Sequence, residues 1–241
     1  MPESLTLRST VSSASVLLAV GLLLPLVLLG GCGPTIVKPA YQMPRGLVTP
    51  VSARVGLVLD DELRAYRHEE TRGGTDWKIE LGMVTARMWE DMLKTSFTEV
   101  RVFNSLDEAI AGSGNLQILA QPKIEQFSFA TDKETVDGHW AATIRYRLGV
   151  FSPTGQPVDS LTLTGYGNSF DNGGSKSSLE YATRAAMRDT SAKFLVQLPR
   201  QPIAARLASG AVIDVPTAPA LTADVIEAVP INPPQGVRPA P

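Results

Sequence analysis

The side chains capable of distinctive chemistry in this 241-residue chain are few and far apart. Cys32 is the only thiol, and His68 and His139 are the only imidazoles. A single cysteine excludes an internal disulfide, and with two histidines it cannot complete a tetrahedral zinc site. The densest run of ligand atoms is Asp60-Asp61-Glu62 followed by His68-Glu69-Glu70. It matches no known metal-loop spacing, so a solvated loop at a strand end accounts for it. Gly173-Gly174-Ser175-Lys176-Ser177 precedes a helical pattern. A phosphate loop would need glycine where Phe170 and Ser175 stand, so these residues read as a turn and a helix start. Serines are abundant, but no G-x-S-x-G run occurs, and only His68 or His139 could serve as base. No catalytic residue, cofactor site or metal site is therefore expected. Arg145 and Arg147 lie two residues apart in an alternating segment, which places both on the polar face of a strand as a candidate partner surface. Twenty-two basic residues face 24 acidic ones, for a formal charge of -2, so no field for nucleic acid exists.

The surroundings of Cys32 give it a different chemistry. Met1 to Thr10 is short and polar with Arg8 as its one basic residue, and Val16 to Leu29 is almost wholly apolar. A polar start, an apolar run of about 14 residues and small residues at its end form the secretory pattern. A spanning helix needs about 20 apolar residues, and Pro25 interrupts this shorter run. Leu29-Gly30-Gly31-Cys32 resembles the lipobox of bacterial lipoproteins. That resemblance implies cleavage before Cys32, diacylglycerol on its sulfur and an acyl chain on its freed amine, which together hold a protein stably on a bilayer. Gly33, in place of an aspartate, implies the outer membrane with the protein on its periplasmic face.

The elements behind the anchor follow from periodicity. Residues 1–31 read as signal peptide and 32–53 as a tether containing Pro34, Pro39, Pro44 and Pro50. Residues 54–198 read as one domain. Arg54 to Leu59 fits a first strand. Leu81, Val84, Met88, Trp89, Met92 and Leu93 form an apolar stripe that predicts a helix over Gly82 to Phe97. A short strand at Val100–Phe103 and a turn or two of helix at Asp107–Ala111 come next. Leu116 to Phe129 reads as a strand whose parity changes, which predicts a one-residue bulge near Glu125. Trp140 to Val150 alternates without interruption, and Ser152-Pro153-Thr154-Gly155 predicts a type I turn into Val158–Phe170, with a bend or bulge at Gly165 and Gly167. Ser177 and Glu180 have capping-box spacing before a helix that runs to Gln197 and stops at Pro199. Residues 199–241 hold nine of the 18 prolines and read as a mostly disordered tail, with one short helix over Ile203–Ala208. Trp77, Trp89 and Trp140 read as core or edge residues. The β-α-β-β-β-β-α order predicts an α+β fold, a mainly antiparallel sheet with two long helices on one face.

That order, with Val55-Gly56-Leu57-Val58-Leu59-Asp60-Asp61 leading into Leu63-Arg64 and with Ala186-Met187-Arg188-Asp189 in the last helix, resembles small periplasmic lipoproteins of the YajG kind. It is similar in outline to the penicillin-binding-protein activator LpoB, the curli secretion lipoprotein CsgG and the amino-terminal domain of TolB. The resemblance implies a non-enzymatic binding or assembly accessory of the cell envelope, working on an unidentified envelope protein. The alternative is a carrier of a small apolar ligand, or an auxiliary component of an envelope transport system. A carrier would hold a cavity bordered by Met83, Met88 and Met92 between helix and sheet, whereas a docking module would be solidly packed.

Overall fold

The computed structural model describes residues 33–40, 48–170 and 173–213. The chain divides into a unit of Met1–Pro34 and a unit of Thr35–Pro241. The fold described below belongs to the second, and residues 1–31 read as signal peptide, Cys32 and the residues beyond 213 read as tail lie outside the described residues. The elements are β1 (Thr35–Val37), β2 (Val51–Val58), α1 (Asp61–Arg64), β3 (Arg67–Arg72), β4 (Thr75–Glu80), α2 (Gly82–Ser96) and β5 (Phe97–Phe103). They continue with α3 (Leu106–Ala111), β6 (Ile118–Ala130), β7 (Trp140–Phe151), β8 (Pro157–Ser169), α4 (Ser175–Gln197), a 3-10 turn over Leu198–Arg200, and α5 (Pro202–Ala208). The fold is α+β.

Five strands form the main sheet in the order β5-β2-β6-β7-β8. β2 runs parallel to both β5 and β6, while the long ladders β6–β7 and β7–β8 are antiparallel. Register in the β6–β7 ladder shifts between Ile124 and Gln126, the predicted bulge, and returns Phe127 and Phe129 to the buried side. Pro122 sits just past Ala120, the last β6 residue paired with β2, so its missing N–H costs no ladder bond on that side. Gly155 donates to the Ser152 carbonyl at 2.9 Å and has φ +85°, closing the β7–β8 turn where the sequence placed it.

The inner face of this sheet carries α2 and α4. Trp140, Ala142, Ile144, Tyr146, Leu148 and Val150 all point inward and are buried. The Trp89 indole of α2 meets Tyr146 and Phe194 edge-on at 6.0 and 5.4 Å, which joins both helices and the sheet in one core. On the other face, α3 covers a small cluster of Val58, Phe103, Ala109, Leu116 and Leu119.

Four local expectations change. His68-Glu69-Glu70, read with Asp60-Asp61-Glu62 as a solvated loop, lies in a hairpin over Arg67–Glu80, where Gly73 and Gly74 both have positive φ, as a two-residue type I′ turn requires. Its strands pair with β1 in a second sheet ordered β1-β4-β3, so Thr35–Val37, read as tether, belongs to the folded unit, with Val37 fully buried. Gly165 and Gly167 mark no bulge. A Cβ on either would stand 2.1 Å from the carbonyl oxygen of Ala186 or Ala182, so they let the α4 backbone rest on β8. The capping box does not form, because α4 begins at Ser175 with Gly174 as its cap. Glu180 instead accepts from the Lys38 backbone N–H at 3.3 Å.

Candidate functional site

The acidic run that opened the sequence reading is consumed by structure. Asp60 accepts from the Leu63 N–H at 2.8 Å as the cap of α1, and its other oxygen accepts from Gln121 Nε2 at 2.7 Å. Glu62 pairs with Lys123 at 3.2 Å, and Glu69 with Lys78 at 3.4 Å. His68 Nε2 lies 2.9 Å from Glu70 Oε2, and Glu70 also holds Arg72 at 2.6 Å. Among the described residues no three histidine, aspartate or glutamate side chains are grouped to hold a metal. His139 is fixed by backbone bonds to the Thr135 hydroxyl, and its ring lies 5.9 Å from the Phe170 ring at a 60° tilt. Among the described residues neither imidazole hydrogen-bonds a serine. Arg145 and Arg147 both project from β7 on the face opposite the long helices, and Arg147 is paired there with Glu125.

A different set of cations converges around the α1–β3 link. A cavity of about 470 Å³ is lined by Lys38, Pro39, Arg64, Tyr66, Arg67, Glu80 and the first turn of α2, with Arg87 one turn further in. Its geometry rests on Gly82. The N–H of Gly82 donates to the Tyr66 carbonyl at 2.9 Å, and a Cβ there would stand 2.2 Å from the Arg64 carbonyl oxygen. Only glycine allows the link to cross the helix start so closely.

Four cations thus face one carboxylate in a protein whose formal charge is -2. Lys38 is 3.1 Å from Glu80. Arg64 donates through Nε to the Leu59 carbonyl at 2.8 Å. Arg67 reaches Glu69 only at 3.9 Å, beyond hydrogen-bond range, and Arg87 makes no ion pair or hydrogen bond with the described residues. The α2 start adds partial positive charge. Leu81 gives no side-chain cap, the first turn has no acidic residue, and the N–H groups of Met83 and Val84 have no acceptor among the described residues. Tyr66, Met83, Val84 and Pro39 supply the apolar part of the wall. Tyr66 is half-buried against the core, and burial pushes its phenol above the usual value, so it is a neutral wall. The arrangement suits a ligand with an anionic end and an apolar part.

Sequence reasoning did not bring these residues together. Arg64, Arg67 and Arg87 stand at no spacing that marks a site, and Lys38 arrives through β1, read from the sequence as part of the tether. Of the methionines proposed to border a ligand cavity, Met83 lies on this wall and is 54% exposed, whereas Met88 and Met92 are buried in the core.

The sequence matches no family model and no curated protein. Among solved structures, protein XCC0632 from Xanthomonas campestris, of the DUF330 family, is similar at 12% identity with a TM-score of 0.45 over 67% of this chain and 92% of that one. PelC from Paraburkholderia phytofirmans, solved as a dodecamer, is similar at 15% identity in two crystal forms. The likeness covers 62% of this chain and 96% and 95% of those, with TM-scores of 0.32 and 0.34. Likeness at these levels carries no functional argument.

Proposed function

We propose that this chain is a lipoprotein of the outer membrane, anchored through Cys32 on the periplasmic face, whose domain works as a non-enzymatic binding or assembly accessory. The observation that carries the reading is Leu29-Gly30-Gly31-Cys32 directly behind the apolar run from Val16. The domain supports binding at its surface. Trp89, Tyr146 and Phe194 fill the space between helices and sheet where an apolar cargo would sit, and Met88 and Met92 are part of that packing. The docking role takes this solid core as its scaffold, with the α1–β3 cleft and the Arg145–Arg147 face as the surfaces presented.

Cells producing the intact chain and supplied with labelled palmitate test the anchor. Label is expected on the wild-type protein and absent from Cys32→Ser, with the wild type in the outer-membrane fraction. A wild-type protein without label, or a Cys32→Ser variant that retains it, overturns the reading.

A further inference from the structure

We propose that the cleft between the α1–β3 link and the first turn of α2 is a binding site for a phosphate group carried on a molecule with an apolar part. The cations are the first reason. Arg67 and Arg87 have no hydrogen-bonded anion among the described residues, and Arg64 spends only Nε, on a backbone carbonyl. Guanidinium groups of this kind pair with phosphate oxygens in parallel, charge-assisted bonds. The wall is the second. Gly82 brings the uncapped α2 start against the link, so Met83 and Val84, whose N–H groups have no acceptor among the described residues, line the same cavity as the cations. Exposed Met83 with Tyr66 and Pro39 then offers an apolar surface beside the charge.

The source of the phosphate depends on the anchor, and this step rests on the lipoprotein reading. Lys38 follows Cys32 by six residues, a reach of at most about 20 Å. An anchor at Cys32 therefore holds the Lys38 rim close to a bilayer surface, which favours a phospholipid headgroup over a soluble phosphoester.

The test uses the full chain in an uncharged detergent, with dihexanoyl phosphatidylglycerol and glycerol 3-phosphate as separate probes. The wild type is expected to bind at least one of them. Tighter binding of the lipid supports the site as proposed and assigns the headgroup, whereas equal or tighter binding of glycerol 3-phosphate shows that the apolar wall contributes nothing and overturns the apolar part of the ligand. The double variant Arg67→Ala with Arg87→Ala is expected to weaken binding about tenfold or more, and the double variant Lys94→Ala with Lys133→Ala, two exposed cations outside the cleft, to leave it unchanged. Glu80→Gln removes the one carboxylate of the cleft and is expected to strengthen binding about threefold, a gain that damage to the fold would not produce. Binding of neither probe overturns the proposal, as does binding that ignores Arg67, Arg87 and Glu80. The probes act without the anchor, so probe binding by a chain that takes no palmitate leaves the site standing and removes only the headgroup assignment.

Discussion

Charge at the level of single residues is used here mainly to hold a hairpin onto an aromatic surface. His68, Glu70 and Arg72 alternate along β3 on the side facing Phe127 and Phe129, with the Arg72 guanidinium 5.0 Å above the Phe129 ring. Arg72 also bridges to Glu134 at 3.2 Å, tying the hairpin to the β6–β7 connection. Burial opposes ionisation of Glu70, but hydrogen bonds from His68 and Arg72 and the nearby charge outweigh it and hold the carboxyl below its usual value. A carboxyl lowered in the folded state contributes stability above its unfolded value, and that contribution is lost as pH falls through the folded value. Urea midpoints measured downward from about pH 5 are therefore expected to drop, and Glu70→Gln is expected to flatten part of that drop. A Glu70→Gln profile parallel to the wild type would show that the bridge contributes nothing to the pH dependence.

Elements pack here through glycine as much as through large side chains. α4 buries Leu179, Ala182, Ala186, Met187 and Phe194, and its small residues bring its backbone onto Gly165 and Gly167 of β8. The same helix protects the sheet edge. Asp189 accepts from the Tyr166 N–H at 2.9 Å, and Lys193 donates to the Thr164 carbonyl at 2.8 Å, so edge groups of β8 are occupied by side chains. Gly165→Ala would place a methyl 2.2 Å from Thr190 Oγ1 and closer still to the Ala186 carbonyl, forcing helix and strand apart. Such overpacking costs about 1–3 kcal/mol, and urea denaturation should show the loss without a change in slope. A silent Gly165→Ala would mean that α4 tolerates a larger distance from β8.

The limits of the folded molecule extend past both ends of the 54–198 span read from the pattern. At the far end Ile203, Ala204, Leu207 and Ile213 are buried, and the Gln117 amide donates to the carbonyls of Leu207 and Ala211 at 3.1 and 3.0 Å. A chain ended after Arg200 loses these contacts and exposes Gln117, so its thermal midpoint is expected to fall by several degrees, while ending after Ile213 is expected to leave it unchanged. Equal midpoints for the two truncations would show that α5 adds nothing to the domain. The sequence by itself determined the long helices, the β6 bulge, the turn at Gly155 and the α+β class, because each is set by spacing along a few neighbouring residues. The resemblance of Leu29-Gly30-Gly31-Cys32 to a lipobox is likewise a local pattern. The hairpin at Arg67–Glu80 left local marks in Gly73-Gly74 and in the alternation of Trp77 and Ile79, but the tertiary structure alone decided its union with Thr35–Val37, since β3 is charged at most positions and β1 is a three-residue strand. β3 and β1 carry no apolar period of their own, and their sheet is held to the core through Trp77 of β4 and Val37 of β1, both buried. The basic cleft belongs to that second group for the same reason. Lys38, Arg64, Arg67 and Arg87 come from four different elements or links, and the close crossing at Gly82 that gathers them is a contact between backbones that no periodicity in the chain encodes.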